Sequence, residues 1–261
     1  MKILVCIKEV PDLDPEAELT IDDDTMWLVE DDSMRYGMNR FDEFAVEEAL
    51  QFKEAVAECQ VDVVTAGPNR SHAVIRRALG MGADHGIHII VETAGAMDPC
   101  AVSSYIAYVA KERQYDLVLT GVMSEDLQQG VTGVMIAKHL DMPWASAVID
   151  AELSDEQDQL TVEREIEGGM RDRLRIQLPC VLTIQSGINQ PRYPALSKVL
   201  KAKKAELENY HASELCDSRG KQMVHSISYP QKERAGQVLT GTAKEKAKSL
   251  IALLREKSLL E

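Results

Sequence analysis

Short apolar runs alternate with helical patterns over the first two-thirds of the chain. The candidate strands are Ile3 to Ile7, Val61 to Thr65, Gly86 to Val91 and Asp116 to Thr120. Each is the type of run that lies buried between two layers of helices in a parallel sheet. Strands that alternate with helices indicate βαβ units, whose right-handed crossovers place helices on both sheet faces. The pattern therefore predicts an α/β fold.

Helical periodicity predicts four helices in the same region. They are Phe44 to Glu58, Ser71 to Met81, Pro99 to Arg113 and Thr132 to Leu140. The first has apolar residues at helical spacing with carboxylates between them, and either Asn39 or Asp42 can cap its start. The fourth ends at Asp141-Met142-Pro143.

Beyond Pro143 the pattern changes to short strands joined by polar turns. The candidates are Ala145 to Ala151, Leu160 to Ile166, Leu174 to Leu178 and Val181 to Ile184. Gly168-Gly169 suits a hairpin turn between the second and third of them. We expect these segments to add antiparallel strands to the sheet.

The composition turns polar and basic from about Gly187, which predicts an α/β domain over residues 1–186 and an arm over residues 187–261. Near the end of the arm, Thr242 to Leu259 has one apolar helical face, formed by Ala243, Ala247, Leu250, Ile251 and Leu254. A single amphipathic helix gains little alone. It is expected to pack on its own domain or on another subunit, and its periodicity leaves both open.

Charge and cysteine usage narrow the function classes. The chain has 43 acidic and 29 basic residues, a net charge of -14, which argues against a general nucleic-acid binder. Its five cysteines show no CxxC or cysteine–histidine spacing, so neither a metal site nor a disulfide framework is predicted. We find no signal-peptide core and no apolar run of about 18 residues. These features predict a cytoplasmic protein that is not embedded in a membrane.

The segment from Thr120 to Gly133 is the best candidate for ligand chemistry. It follows a predicted strand and opens a predicted helix, where ligands bind in open α/β folds and where free N–H groups attract phosphate. Gly130 and Gly133 would let a ligand approach the backbone, and the Thr132 hydroxyl can donate to a phosphate oxygen. An ordinary glycine-containing loop with a helix cap explains the same residues.

Known catalytic motifs are missing from the sequence. There is no GxGxxG, no GxxxxGK[ST], no GxSxG and no HExxH, so no catalytic centre is predicted. From pattern alone, Glu163, Arg164 and Glu165 fit a solvated strand with cross-strand charge pairs. The lysines after Tyr193 fit a solvated helix face.

Five motifs, in order along nearly the whole chain, resemble one family. They are KILVCIKEVPD, MNRFDEFAVEEAL, RRALGMGADHGIHI, VEREIEGG and NQPRYPALSKVLKAKK. The sequence is similar to the β subunits of electron transfer flavoproteins. The resemblance implies an adenine-nucleotide-binding domain of the Rossmann-like, adenine nucleotide alpha-hydrolase-like class. It also implies a C-terminal arm that embraces the α subunit of a heterodimer.

The resemblance further implies a function in electron transport. The redox FAD would lie mainly on the α subunit, and this chain would hold AMP or, as in electron-bifurcating members with an NADH site, a second FAD. Electrons would come from an acyl-CoA-type dehydrogenase and pass to a membrane quinone oxidoreductase. The chain would thus be a carrier subunit rather than an enzyme. A stand-alone adenine-nucleotide-binding protein is the alternative from a different class.

The resemblance also maps roles onto residues. Those assigned to the nucleotide are Cys6, Asn39, Arg40, Phe41, Asp42, Ala66, Gly121, Val122, Met123, Ser124, Glu125, Asp126, Leu127, Gln128, Gln129, Gly130, Val131, Thr132 and Gly133. Those assigned to partner recognition are Tyr193, Leu196, Lys198 and Lys201, with Leu196 as the apolar anchor. Glu165 matches a carboxylate that pairs with an α-subunit arginine near the flavin.

Overall fold

The computed structural model describes residues 1–12, 20–22, 24, 26–29, 34–92, 97–215, 221–229, 236 and 238–260. The chain forms two units, Met1–Ile227 and Ser228–Glu261. None of the helices in these described ranges is long and apolar enough to cross a membrane.

The elements follow one another along the chain as the periodicity predicts, with several short additions. The strands are β1 (Lys2–Cys6), β2 (Glu9–Pro11), β3 (Ile21–Asp22), β4 (Trp27–Leu28), β5 (Tyr36–Met38), β6 (Gln60–Gly67), β7 (His85–Ile90), β8 (Leu117–Gly121), β9 (Trp144–Leu153), β10 (Gln159–Glu165), β11 (Arg171–Gln177), β12 (Cys180–Ile184) and β13 (Glu208–His211). The helices are α1 (Arg40–Ala55), α2 (His72–Met81), α3 (Pro99–Lys111), α4 (Thr132–Leu140), α5 (Leu196–Lys203), α6 (Ala212–Leu215) and α7 (Ala243–Glu256).

A single large sheet forms the centre of the first unit. Within the described residues its order is β11-β10-β9-β12-β8-β1-β6-β7-β13, and neighbours pair in parallel except at β9–β10 and β10–β11. Ile3 and Val5 of β1 face a core shared with α1, α2 and α5, whereas Leu4 faces a core shared with α3, α4 and α6. The predicted α/β class is confirmed.

The predicted helices of the first unit are confirmed, with one change at α1. That helix begins at Arg40 rather than Phe44, with Asn39 as the residue before its first turn. Asn39 takes the predicted N-cap position, although its side chain makes no capping hydrogen bond, and Asp42 lies inside the helix. The Asn39 side chain instead holds the loop after β8, and the Asp42 side chain joins the ends of β1 and β8, as described below.

The last predicted strand of the first unit runs in the opposite sense to our expectation. We expected all strands after Pro143 to be antiparallel, but β12 inserts between β8 and β9 and pairs in parallel with both. Every residue of β12 is buried. A strand that is covered on both faces gains most at an interior position of a parallel sheet, which explains the placement.

Residues after Gly187 contribute to the first unit, so the structure divides the chain after Ile227 rather than at residue 187. Helix α5 lies against α2, where the Arg76 guanidinium donates to the carbonyl oxygens of Ala202 at 2.6 Å and Lys203 at 2.8 Å. Strand β13 pairs in parallel with β7 and extends the sheet. The arm-like role assigned to residues 187–261 stays a prediction.

The second unit contains the predicted terminal helix, α7. Thr242 and Glu245 form a capping box at its start, in which each satisfies a backbone N–H of the other. None of its residues is buried, and Leu250 and Ile251 of the apolar face are exposed.

Candidate nucleotide-binding site

An open cavity lies at the carboxyl ends of β1, β6 and β8, beside the first turn of α4. The carboxyl edge of a parallel sheet is the place where open α/β folds bind ligands. The fold therefore puts an open pocket where the sequence predicts phosphate chemistry.

Most of the residues assigned to the nucleotide meet at this cavity. Those that line it are Cys6, Asn39, Asp42, Ala66, Gly121, Val122, Met123, Ser124, Leu127, Gln129, Gly130, Val131, Thr132 and Gly133. Five assigned residues are not among its lining: Arg40, Phe41, Glu125, Asp126 and Gln128. Whether any of them contacts a nucleotide stays a prediction.

Two of those five residues bind each other instead of facing the cavity. The backbone N–H of Arg40 donates to the Glu125 carboxylate at 3.2 Å, and its guanidinium lies 3.7 Å from the same group. The contact joins the first residue of α1 to the loop that follows β8.

Asn39 fixes the same loop from the start of α1. Its side-chain amide donates to the Met123 carbonyl at 2.9 Å, and its side-chain oxygen accepts from the Glu125 backbone N–H at 3.1 Å. Because Asn39 is almost fully buried, these bonds replace those that it would make to water. The loop is thus held in position before any ligand binds.

Asp42, one turn further along α1, joins the ends of β1 and β8. Its carboxylate accepts from the backbone N–H of Lys8 at 2.7 Å and of Gly121 at 3.0 Å. Burial raises the pKa of Asp42 to about 7, although its hydrogen bonds act in the opposite direction. Burial, with a smaller contribution from Asp42, also raises the pKa of the Cys6 thiol, which therefore stays neutral.

The first turn of α4 is suited to an anion. Thr132 and Gly133 both line the cavity, and the residue before them, Val131, has no side chain that can cap the helix. The first N–H groups of an α-helix have no partner within the helix and carry a partial positive charge. A phosphate group is the kind of ligand that satisfies them.

The glycines of this region have different roles from those that the sequence suggested. A Cβ on Gly133 would lie 2.6 Å from the Thr120 hydroxyl and 2.7 Å from a Thr183 methyl group, so this glycine lets α4 approach the sheet. A Cβ on Gly121 would lie 2.4 Å from the Asp42 carboxylate. Gly130 has a φ of +64°, which favours glycine in a turn. Packing and backbone shape thus explain these positions without a ligand.

Sequence reasoning missed several lining residues, among them Lys8, Met97, Pro99 and Val102. The last three belong to the start of α3, where Asp98 caps the helix and Pro99 occupies its first turn. The Asp-Pro pair is a recognisable helix start. It could have placed this segment at the carboxyl edge of the sheet, because each crossover helix begins there.

Comparison with known proteins identifies a family for this chain. A model of the electron transfer flavoprotein domain matches residues 26–215. The chain is 36% identical over 259 residues to the electron transfer flavoprotein subunit beta of Homo sapiens, covering 98% of this chain and 97% of the relative. It is 32% identical to that of Methylophilus methylotrophus (98% of each chain) and 30% identical to that of Bacillus subtilis strain 168 (99% of each).

The chain belongs to the electron transfer flavoprotein β-subunit family. The residues that this family resemblance assigned to partner recognition lie on and beside α5. Tyr193 is 91% exposed and Leu196, the first residue of α5, is 76% exposed. Lys198 and Lys201 are exposed as well. Large apolar side chains in such positions are available to a partner.

The segment that leads into α5 is held firmly on α1 of this family member. The Arg192 guanidinium binds the nearly buried Glu47 carboxylate in a two-pronged contact at 2.8 Å for each pair of atoms. Asn189 donates to the Phe44 carbonyl at 3.1 Å and to Glu48 at 2.9 Å. Asn189 and Arg192 fix the backbone before Tyr193, and the packing of α5 on α2 fixes it afterwards, so little order must be gained when a partner binds.

Glu165, the carboxylate that the family resemblance assigns to the subunit interface, lies exposed at the end of β10. It accepts from the Gln185 side chain at 3.2 Å. Its neighbours form the predicted cross-strand pairs, with Arg164 to Asp172 at 3.0 Å and Glu163 to Arg171 at 3.8 Å. Across the ranges that the structure describes, we find no group of three or more potential metal ligands.

Proposed function

We propose that this chain is the β subunit of a heterodimeric electron transfer flavoprotein and holds AMP in the cavity at the carboxyl edge of its sheet. The α subunit would carry the FAD, which supplies the redox chemistry. Electrons would reach that flavin from an acyl-CoA-type dehydrogenase and leave to a membrane quinone oxidoreductase. This chain would bind the nucleotide, support the flavin of the α subunit and dock the partner proteins, with no catalytic step of its own.

The observation that carries the proposal is the cavity itself, built into a chain of this family. Asn39 fixes the loop after β8, Asp42 of α1 joins the ends of β1 and β8, and the uncapped start of α4 also lines the cavity. Such a preformed pocket with one anion-binding helix start fits one phosphate group.

A single phosphate favours AMP over a second FAD. Lys8 is the one cation among the described lining residues, and Asp126 already pairs with it. A diphosphate would bring more negative charge beside the buried Asp42 than these groups balance. The electron-bifurcating alternative, with a second FAD, therefore requires more positive charge than this pocket supplies.

Identification of the bound nucleotide tests the proposal. The full chain should be purified alone and with its α subunit, and released nucleotides should be separated by chromatography after denaturation. We expect the chain alone to be colourless with one AMP, and flavin to be retained only by the heterodimer. One flavin per isolated chain would contradict AMP and favour the bifurcating function. ATP turnover by the isolated chain would instead support a stand-alone enzyme.

A further inference from the structure

Lys8 makes a close set of contacts beside the cavity. Its ammonium group lies 2.7 and 2.6 Å from the two carboxylate oxygens of Asp126 and 3.3 Å from the Ser124 hydroxyl. The two charged side chains are mostly covered, with 29% of Lys8 and 13% of Asp126 exposed. Lys8 and Ser124 both line the cavity. The pair therefore lies in a region of reduced dielectric constant, next to the ligand space.

The backbone of Lys8 is fixed by the same side of α1 that fixes the loop. Its N–H donates to Asp42 at 2.7 Å, and its carbonyl oxygen accepts from the backbone N–H of Asn39 at 2.9 Å. Asn39 in turn holds the loop through Met123 and Glu125. The loop thus remains attached to α1 when the Lys8 side chain changes, so the ammonium group is not its only support.

We propose that Lys8 is a further residue of the nucleotide site, and that it acts by neutralising Asp126. Asp126 precedes the anion-binding start of α4 in the loop, and its carboxylate would repel a bound phosphate if it were unpaired. The Lys8 ammonium cancels that charge at 2.6 Å. Lys8 is in this sense a positioning and charge-balancing residue that acts through Asp126. The inference rests on the proposed function, because it requires a ligand with a phosphate group.

The electrostatic role has a distinct signature. Asp126 does not line the cavity but contacts Lys8, which does. An uncompensated carboxylate at this position, partly desolvated, is expected to weaken binding of a phosphate in the cavity by about tenfold or more. It has little effect on an uncharged nucleoside. The ratio of the affinities for AMP and adenosine therefore isolates the charge, whereas a general loosening of the loop lowers both affinities alike.

The test measures binding of AMP and of adenosine to the nucleotide-free full chain by isothermal titration calorimetry. We expect Lys8→Met to lower the AMP-to-adenosine affinity ratio about tenfold or more. Asp126→Asn should raise the ratio or leave it unchanged, since it removes the negative charge and its amide oxygen can still accept from Leu127 N–H. The double variant should return the ratio to within about threefold of the wild type.

Lys53→Met is the matched control. Lys53 pairs with Asp84 at 2.6 Å, their side chains are 28% and 33% exposed, and neither residue lines the cavity. Loss of this ion pair should leave the ratio unchanged. Lys8→Arg, which keeps the charge, should retain most of the wild-type ratio.

Three results would overturn the inference. They are an unchanged ratio in Lys8→Met, a lower ratio in both single variants, and a double variant whose ratio does not recover. The last result would show that Lys8 contacts the phosphate directly. A wild-type chain that binds AMP no better than adenosine would overturn the proposed function as well, and this measurement separates the two failures because it precedes any substitution.

Discussion

Replacement of Leu196 by alanine tests whether the exposed residues on and beside α5, Tyr193, Leu196, Lys198 and Lys201, bind a partner protein. Leu196 begins α5 and exposes 76% of its surface, so it contributes little to the core of its own chain. Complete burial of a leucine side chain is worth about 1.5–3 kcal/mol. About three-quarters of this free energy, roughly 1–2 kcal/mol, is therefore available on burial of Leu196 in a partner's pocket. Alanine loses most of it, because only the Cβ atom of the side chain remains.

A loss of about 1.4 kcal/mol corresponds to a tenfold change in affinity. We therefore expect Leu196→Ala to slow reduction of the heterodimer by its dehydrogenase roughly 10-fold when the dehydrogenase is subsaturating. At saturating concentration the difference should shrink, because the substitution weakens encounter rather than the electron-transfer step. Flavin content, bound nucleotide and melting temperature should remain close to wild type, since an exposed side chain is changed.

The assay is stopped-flow reduction of the flavin over a range of dehydrogenase concentrations. Leu200→Ala is the matched control one turn further along α5, where 55% exposure leaves less area to bury and predicts a smaller effect. The reasoning is refuted if Leu196→Ala leaves the low-concentration rate within about twofold of wild type. It is equally refuted if the variant melts several degrees earlier, because Leu196 would then support the fold.

Three further predictions concern stability and assembly. Burial raises the pKa of Glu48 from 4.5 to about 7, so the folded state binds an extra proton and stability falls as the pH rises from about 4.5 to 7. Glu48→Gln should remove this dependence and stabilise the protein at pH 8 by about 1–3 kcal/mol, judged by urea unfolding at both ends of that range. Gly133→Ala should lower the free energy of unfolding by about 1–3 kcal/mol, because the new Cβ would clash with the sheet. Gly37→Ala, with open space around it, should lower it by less than about 1 kcal/mol in the same measurement. Deletion of Gly241 to Glu261 should weaken assembly with the α subunit, as measured by gel filtration, because burial of four or five aliphatic side chains of α7 would contribute about 6–10 kcal/mol before entropy costs. The melting temperature of residues 1–227 should be unchanged, since no residue of α7 is buried.

Strong periodicity made the central elements predictable. Helix α4 has the predicted bounds because its amphipathic pattern ends at an Asp-Met-Pro sequence that no helix continues through. The direction of β12 was not predicted, although its run from Cys180 to Ile184 is apolar or small throughout. That continuous burial is itself a sign of an interior parallel strand, and the neighbouring antiparallel hairpin obscured it.

The short elements after Gly187 carry no comparable signal. Helix α5 buries only Ala202, and lysines fill much of its surface. Strand β13 has the sequence Glu-Asn-Tyr-His, with no residue buried. Its position depends on pairing with β7, a contact between residues more than 100 positions apart that local pattern does not encode.

For the candidate site too, local sequence motifs were predictable, whereas contacts between distant segments were not. Family resemblance brought together Asn39, Asp42 and the loop after β8, and the structure shows why the first two matter to that loop. Lys8 and the start of α3 were missed, because membership of a cavity depends on which strands are neighbours. Only the sheet order, with β1 between β6 and β8, puts these segments beside one another.

The late position of β13 in the chain has a consequence for biosynthesis. The sheet is complete only when residue 211 has been made, yet about 50 residues then remain, among them the whole of α7. At about 5–20 residues per second, the ribosome needs roughly 2–10 s to add them. The cavity, whose lining residues all precede residue 134, can thus fold during translation, before the terminal helix exists. If the proposed function holds, newly made chains would meet the α subunit with the nucleotide already bound.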